Sequence, residues 1–162
     1  MENLIFFEHQ NLSYKHFHVY KRKSYFREKL HLLTGAKQST SEEYVKVLDV
    51  IRQRPFSTIF ELKKLLKSSG LGKWNRYIYS IYFDIKNTRL IDLKESDISY
   101  LEQQFFEFER KFKAHYPTKK YIINYNIIIY YLLMSNNYSC ASAIISPRNY
   151  SKTIKKFIEI LK

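Results

Sequence analysis

The stretch WNRYIYSIYFDI, Trp74 to Ile85, decides the fold class. Trp74, Tyr77, Ile78, Ile81, Tyr82 and Ile85 step by three, one, three, one and three. A strand would present alternate residues to one face. These intervals instead stack the large apolar side chains along one side of an α-helix, so the spacing predicts an amphipathic helix of about thirteen residues.

The same period continues on both sides. Upstream, Tyr44, Val47, Leu48 and Ile51 share a helix face. The run Ser39 to Glu43 supplies a hydroxyl cap followed by acids, and Pro55 ends the segment. Ser57 or Thr58 caps the next helix, which carries Ile59, Leu62, Leu65 and Leu66 and stops at Gly70 and Gly72. Downstream of the loop Lys86 to Ser96, Ser96 is positioned to cap a longer helix. Ile98, Leu101, Phe105, Phe108 and Phe112 form its apolar stripe, and Pro117 closes it. Glu102, Glu107, Glu109, Arg110, Lys111 and Lys113 are expected to face away.

Tyr121 to Met134 is apolar nearly all round. Its β-branched residues also suit a buried strand, but its length favours a central helix wrapped by the others, broken at Asn136-Asn137. Ile154, Phe157, Ile158 and Leu161 mark a final helix. With three Gly and three Pro in 162 residues, the expected architecture is an all-α, compact multi-helix bundle around an apolar helix at about 121–134.

Composition bounds the partners. The formal net charge is +13, against an apolar content of 45%, which describes a folded basic domain and not a disordered basic tail. Polyanions are its natural partners. The segment YIINYNIIIYYLLM falls short of the ~20 apolar residues that a membrane-spanning helix needs, and no membrane partner is expected. MENLIFFEHQN does not have the form of a secretory signal. The one cysteine, Cys140, can make neither an internal disulfide nor a cysteine-based zinc site, so a reducing, intracellular setting is expected.

The positive charge is clustered. Lys21, Arg22, Lys23 and Arg27 lie in HVYKRKSYFREKL, His18 to Leu30, beside Tyr20, Tyr25 and Phe26. Those rings suit either the core or stacking on bases. Lys63, Lys64 and Lys67 share one side of a helix and run through a glycine turn into Lys73 and Arg76, a helix–turn–helix-like order. Lys119 and Lys120 precede the apolar helix, and Lys152, Lys155 and Lys156 line the last one. Several cations on one surface are what phosphate binding requires. The bland alternative is that they are the wet faces of amphipathic helices.

Catalytic signals are lacking. Asp84, Asp92, Glu95 and Asp97 are the only local acid group, and they surround a loop and a helix start where acids are favoured anyway. Three glycines build no phosphate cradle. His16 and His18 have no cysteine or paired carboxylate at ligand spacing. No enzyme activity, metal or cofactor is expected.

Three segments, in order, resemble the late transcription factor 3 family of poxviruses and related large nucleocytoplasmic DNA viruses. Tyr20-Lys21-Arg22 followed by Phe26, Glu28 and Leu30 is similar to that family's basic YKR element. Leu62 to Ile81 is similar to its helix, short basic loop and aromatic helix. Phe108 to Leu133 is similar to its segment centred on a Pro, a basic residue and an apolar helix. Tyr25 stands where the family has His, and Lys119 where it has Arg. No cysteine precedes Tyr20, where family members carry a zinc ribbon. The resemblance implies an N-terminal extension over 1–19 and a single helical domain over 20–162. It implies a non-enzymatic role in late viral transcription alongside the virus-encoded RNA polymerase or other viral transcription factors. Its partner would be DNA ahead of RNA, and its place the viral factory in the host cytoplasm, or the virion. A basic virion protein that binds or packages the genome is the alternative.

Overall fold

A computed structural model describes residues 24–35, 41–118 and 124–144, together with positions 152, 155 and 159. Among the described residues every regular element is helical. The order is α1 (24–33), α2 (Glu42–Arg52), α3 (Ile59–Ser68), a 3-10 segment (Gly72–Tyr77), α4 (Ile78–Lys86), α5 (Glu95–His115), α6 (Tyr125–Ser135) and a second 3-10 segment (Ser139–Ala143). The all-α class follows.

Side chains set the helix starts. Ser41 Oγ accepts from the Tyr44 N–H at 3.3 Å, and Thr58 Oγ1 accepts from the Glu61 N–H at 3.2 Å. Each satisfies a backbone donor that has no partner inside its helix. The α5 start differs from expectation. The N-cap is Lys94, and Ser96 lies inside the first turn. Asp97 Oδ2 accepts from the Lys94 N–H at 2.9 Å, so a carboxylate reaching backward fixes this end in place of a forward hydroxyl.

Backbone geometry sets the stops. After α3, the Leu71 N–H donates to the Leu66 carbonyl at 2.8 Å and the Gly70 N–H to that of Lys67 at 3.2 Å, with Gly70 at φ +72°. This double reversal needs a left-handed residue, and glycine supplies it without a steric penalty. Asn137, at φ 60°, takes the same role after α6, with the Tyr138 N–H on the Leu133 carbonyl at 2.9 Å.

The expected thirteen-residue helix is two elements. Gly72–Tyr77 winds as 3-10 and Ile78–Lys86 as α. Over one or two turns an apolar stripe does not separate three residues per turn from 3.6. The tighter turn brings Trp74 against Tyr44 of α2, with ring centroids 5.9 Å apart.

The core is aromatic and aliphatic. Phe26 of α1 stacks on Phe105 of α5 at 4.1 Å between centroids and an interplanar angle of 8°, a contact worth about 1 kcal/mol beyond area burial. The stripe of α5 is buried as its spacing requires, but Glu102 and Glu109 are buried with it, at 6% and 3% exposure. They were expected to face away. They adjoin the Leu101 and Phe108 positions, and α5 buries a face one column wider than its apolar stripe. The segment between α4 and α5 also feeds the core through Ile91 and Leu93.

Helix α6 is apolar, with Ile127, Ile128, Ile129, Leu132 and Leu133 buried. It packs on α5 and on the second 3-10 segment. A central position wrapped by all the other helices finds no further support in this packing. Lys152, Lys155 and Glu159 are helical and exposed, while the apolar positions of the final helix lie outside the described residues.

Candidate nucleic-acid interface

An exposed basic surface lies on α3. Ile59, Leu62 and Leu66 anchor the helix in the core. Lys63, Lys64 and Lys67 are all exposed, and none has a carboxylate partner among the described residues. The glycine turn then delivers Lys73, also exposed, with its Nζ 5.9 Å from the centroid of the Trp74 ring. The helix–turn–helix-like order therefore has a 3-10 segment within its connection.

Arg27 and Arg76 are placed differently. Arg27 Nη1 donates to Glu102 Oε2 at 2.8 Å, and its other terminal nitrogen pairs with Glu95. Arg76 Nη2 donates to Glu28 Oε1 at 2.7 Å, tying the 3-10 segment to α1. Both guanidiniums already hold a carboxylate in the fold. Lys21, Arg22, Lys23, Lys119 and Lys120 lie outside the described residues, as do His16, His18 and Tyr20.

The α1 rings divide. Phe26 is completely buried and belongs to the core, whereas Tyr25 is 47% exposed and meets Tyr125 edge-on at 4.9 Å.

Structure also accounts for three of the four acids noted in the sequence. Asp84 Oδ2 accepts from the Tyr44 hydroxyl at 2.6 Å. Asp97 accepts from Lys94 and, through Oδ1, from the Tyr138 hydroxyl at 2.7 Å. Glu95 pairs with Arg27 and lies 3.8 Å from His31 Nε2. Burial and the Asp84 carboxylate push the Tyr44 hydroxyl far above its ordinary range. The Tyr138 hydroxyl bond holds Asp97 below the usual carboxylate range, helped by the Lys94 N–H. Burial, then Asp97, pushes Tyr138 up to about 12. Both partners of that pair favour neutral Tyr and ionised Asp. Among the described residues no group of three or more His, Cys, Asp and Glu is placed to hold a metal ion. Cys140 is half-buried, and burial raises its thiol pKa, which disfavours the reactive thiolate. No described helix is long and apolar enough to cross a membrane.

The sequence reading missed a cleft of about 450 Å³ between α1, α3, the 3-10 segment and α4. Lys29, Lys63 and Arg76 line it together with Asn75 and Asn126. Lys29 sits on α1 and Asn126 on α6, far apart in the chain, and no local spacing links them.

Comparisons with family models, curated proteins and solved structures found no match to this chain.

Proposed function

We propose that the chain is a non-enzymatic nucleic-acid-binding domain that acts in late transcription of a large DNA virus, with DNA as its polyanion and the viral RNA polymerase as its companion. The observation that carries the binding part is the exposed set Lys63, Lys64 and Lys67 followed by Lys73, with no carboxylate partner among the described residues, on a chain of net charge +13. Cations held at fixed spacing on a rigid helix neutralise successive phosphates and release counterions, which favours binding at low salt. The order of motifs from Tyr20 to Leu133 supports the viral reading. Acids engaged in capping and helix ties fit a binding role in preference to a catalytic one.

Filter binding of duplex and single-stranded DNA across a salt series tests the shared premise. Four phosphate contacts on a duplex predict a slope of log K against log salt of about −3.6. A flat response between ~50 and ~200 mM salt removes the phosphate surface. Affinity purification from infected cells tests the viral role: polymerase subunits should accompany the protein, and capsid proteins in their place would favour the genome-packaging alternative.

A further inference from the structure

The exposed side of α3 carries an aromatic ring among its cations. Phe60, Lys63, Lys64 and Lys67 stand at i, i+3, i+4 and i+7, which places them along one side of the helix, while Ile59, Leu62 and Leu66 enter the core. All four are exposed, Phe60 by 49%. Every other described phenylalanine is buried or half-buried. Phe60 makes no ring or cation contact with any described residue. The exposed tyrosines differ: Tyr25 meets Tyr125 edge-on, and the Tyr100 hydroxyl donates to Asn136 Oδ1 at 3.3 Å. Glu61, the one acid of α3, accepts from the Ser57 N–H at 2.6 Å and is turned to the helix start, away from a partnership with the lysines.

A lone exposed ring is ordinary on a protein surface. Phe60 is set apart by its neighbours, because ring and lysines are complementary to two parts of one ligand. The ammonium groups neutralise phosphates wherever a backbone runs. A phenyl ring has no hydrogen-bonding atom and takes a base only through its flat face. In a duplex those faces are covered by stacking and only base edges reach the grooves. In a single strand they are open. Lys63 and Lys64 lie one turn from Phe60 and Lys67 two turns, about 5 and 10 Å along the axis, so one extended strand spans ring and cations together.

We infer that this side of α3 binds single-stranded nucleic acid, with Phe60 stacked on a base and Lys63, Lys64 and Lys67 on the flanking phosphates. The inference rests on the nucleic-acid reading and deepens it by naming the form of the strand.

The test is filter binding of the full chain to an oligothymidylate and to a duplex of equal length. Phe60→Ala should weaken single-strand binding about tenfold, within the range of one base–aromatic stack. Duplex affinity should change by less than about twofold, since a duplex offers the ring no base face. The salt slope should stay the same, because no cation is lost. Phe60→Leu keeps apolar bulk without a ring and should lose nearly as much, whereas Phe60→Trp should retain affinity. Lys64→Glu should weaken both polymers and make both slopes shallower. The ratio of the two losses holds even if a variant is partly unfolded, because both polymers meet the same folded fraction. Single-strand affinity indifferent to Phe60→Ala, full affinity in Phe60→Leu, or equal losses on both polymers overturns the stacking inference, and salt-dependent binding that persists then leaves the phosphate surface standing. Binding of neither polymer by the native chain overturns both.

Discussion

Arg27 Nη1 donates to Glu102 Oε2 at 2.8 Å, joining α1 to α5 across 75 residues of chain. Glu102 is almost wholly buried, and Arg27 is a charged partner for its carboxylate. Removing Arg27 takes a charged partner from a buried carboxylate, which costs more than the pair itself contributes. Arg27 is about a third exposed, and the penalty is correspondingly smaller than for a fully dry pair. Arg27→Ala should cost about 2 kcal/mol and lower Tm by about 4–8 °C. The double variant Arg27→Ala/Glu102→Ala should lose less than the sum of the two single losses. Unchanged melting with weakened DNA binding would instead make Arg27 a phosphate ligand.

Charge reversal separates surface from scaffold on α3. Lys64→Glu and Lys67→Glu remove exposed cations that hold no carboxylate among the described residues, so Tm should move by less than about 2 °C. DNA affinity should fall and the salt slope should become shallower by about one for each lost contact. Circular dichroism melting beside filter binding reads both quantities. A collapse of melting would make these lysines structural.

The Tyr138–Asp97 bond gives stability a pH signature. Asp97 is held below its ordinary value of 3.8, so its contribution is present above that value and is lost as pH falls through the lowered one. Tyr138 is raised from 10.0 to about 12, so its contribution is present below pH 10 and declines as pH rises towards 12. Tyr138→Phe should cost about 1 kcal/mol at neutral pH. The gap from the native chain should narrow below pH 3.8 and again above pH 10. Chemical denaturation at pH 3, 7 and 11 measures it, and a gap constant across all three would show the bond contributes nothing.

Two glycines in one turn should respond in opposite directions. Gly70 holds φ +72° with open space where a Cβ would stand, so Gly70→Ala costs only backbone strain, about 1 kcal/mol. Gly72 also has open space, without the left-handed backbone. Gly72→Ala should be neutral or stabilising by about 0.5 kcal/mol, because it restricts the unfolded chain. Urea denaturation of both variants checks the contrast, and equal losses would mean that space and not backbone conformation limits this turn.

Much of the fold is legible locally. The apolar stripes of α2, α3 and α5, the Thr58 cap, and the stops at Gly70 and Asn137 follow from spacing and from residues suited to special backbone positions. The places where spacing misleads are equally local. The 3-10 winding of Gly72–Tyr77 shares its stripe with an α-helix, and the buried Glu102 is paired with an arginine supplied by another helix.

The sequence by itself determined a helical, strongly basic chain, because helix period, caps and net charge are properties of neighbours and of sums. Only the tertiary structure decided which charges remain available. It engages Arg27 and Arg76 with carboxylates, leaves Lys64 and Lys67 exposed, and gathers Lys29, Asn75 and Asn126 around one cleft. Electrostatic and hydrogen-bond partners are chosen by distance in space, and packed helices set that distance independently of separation along the chain.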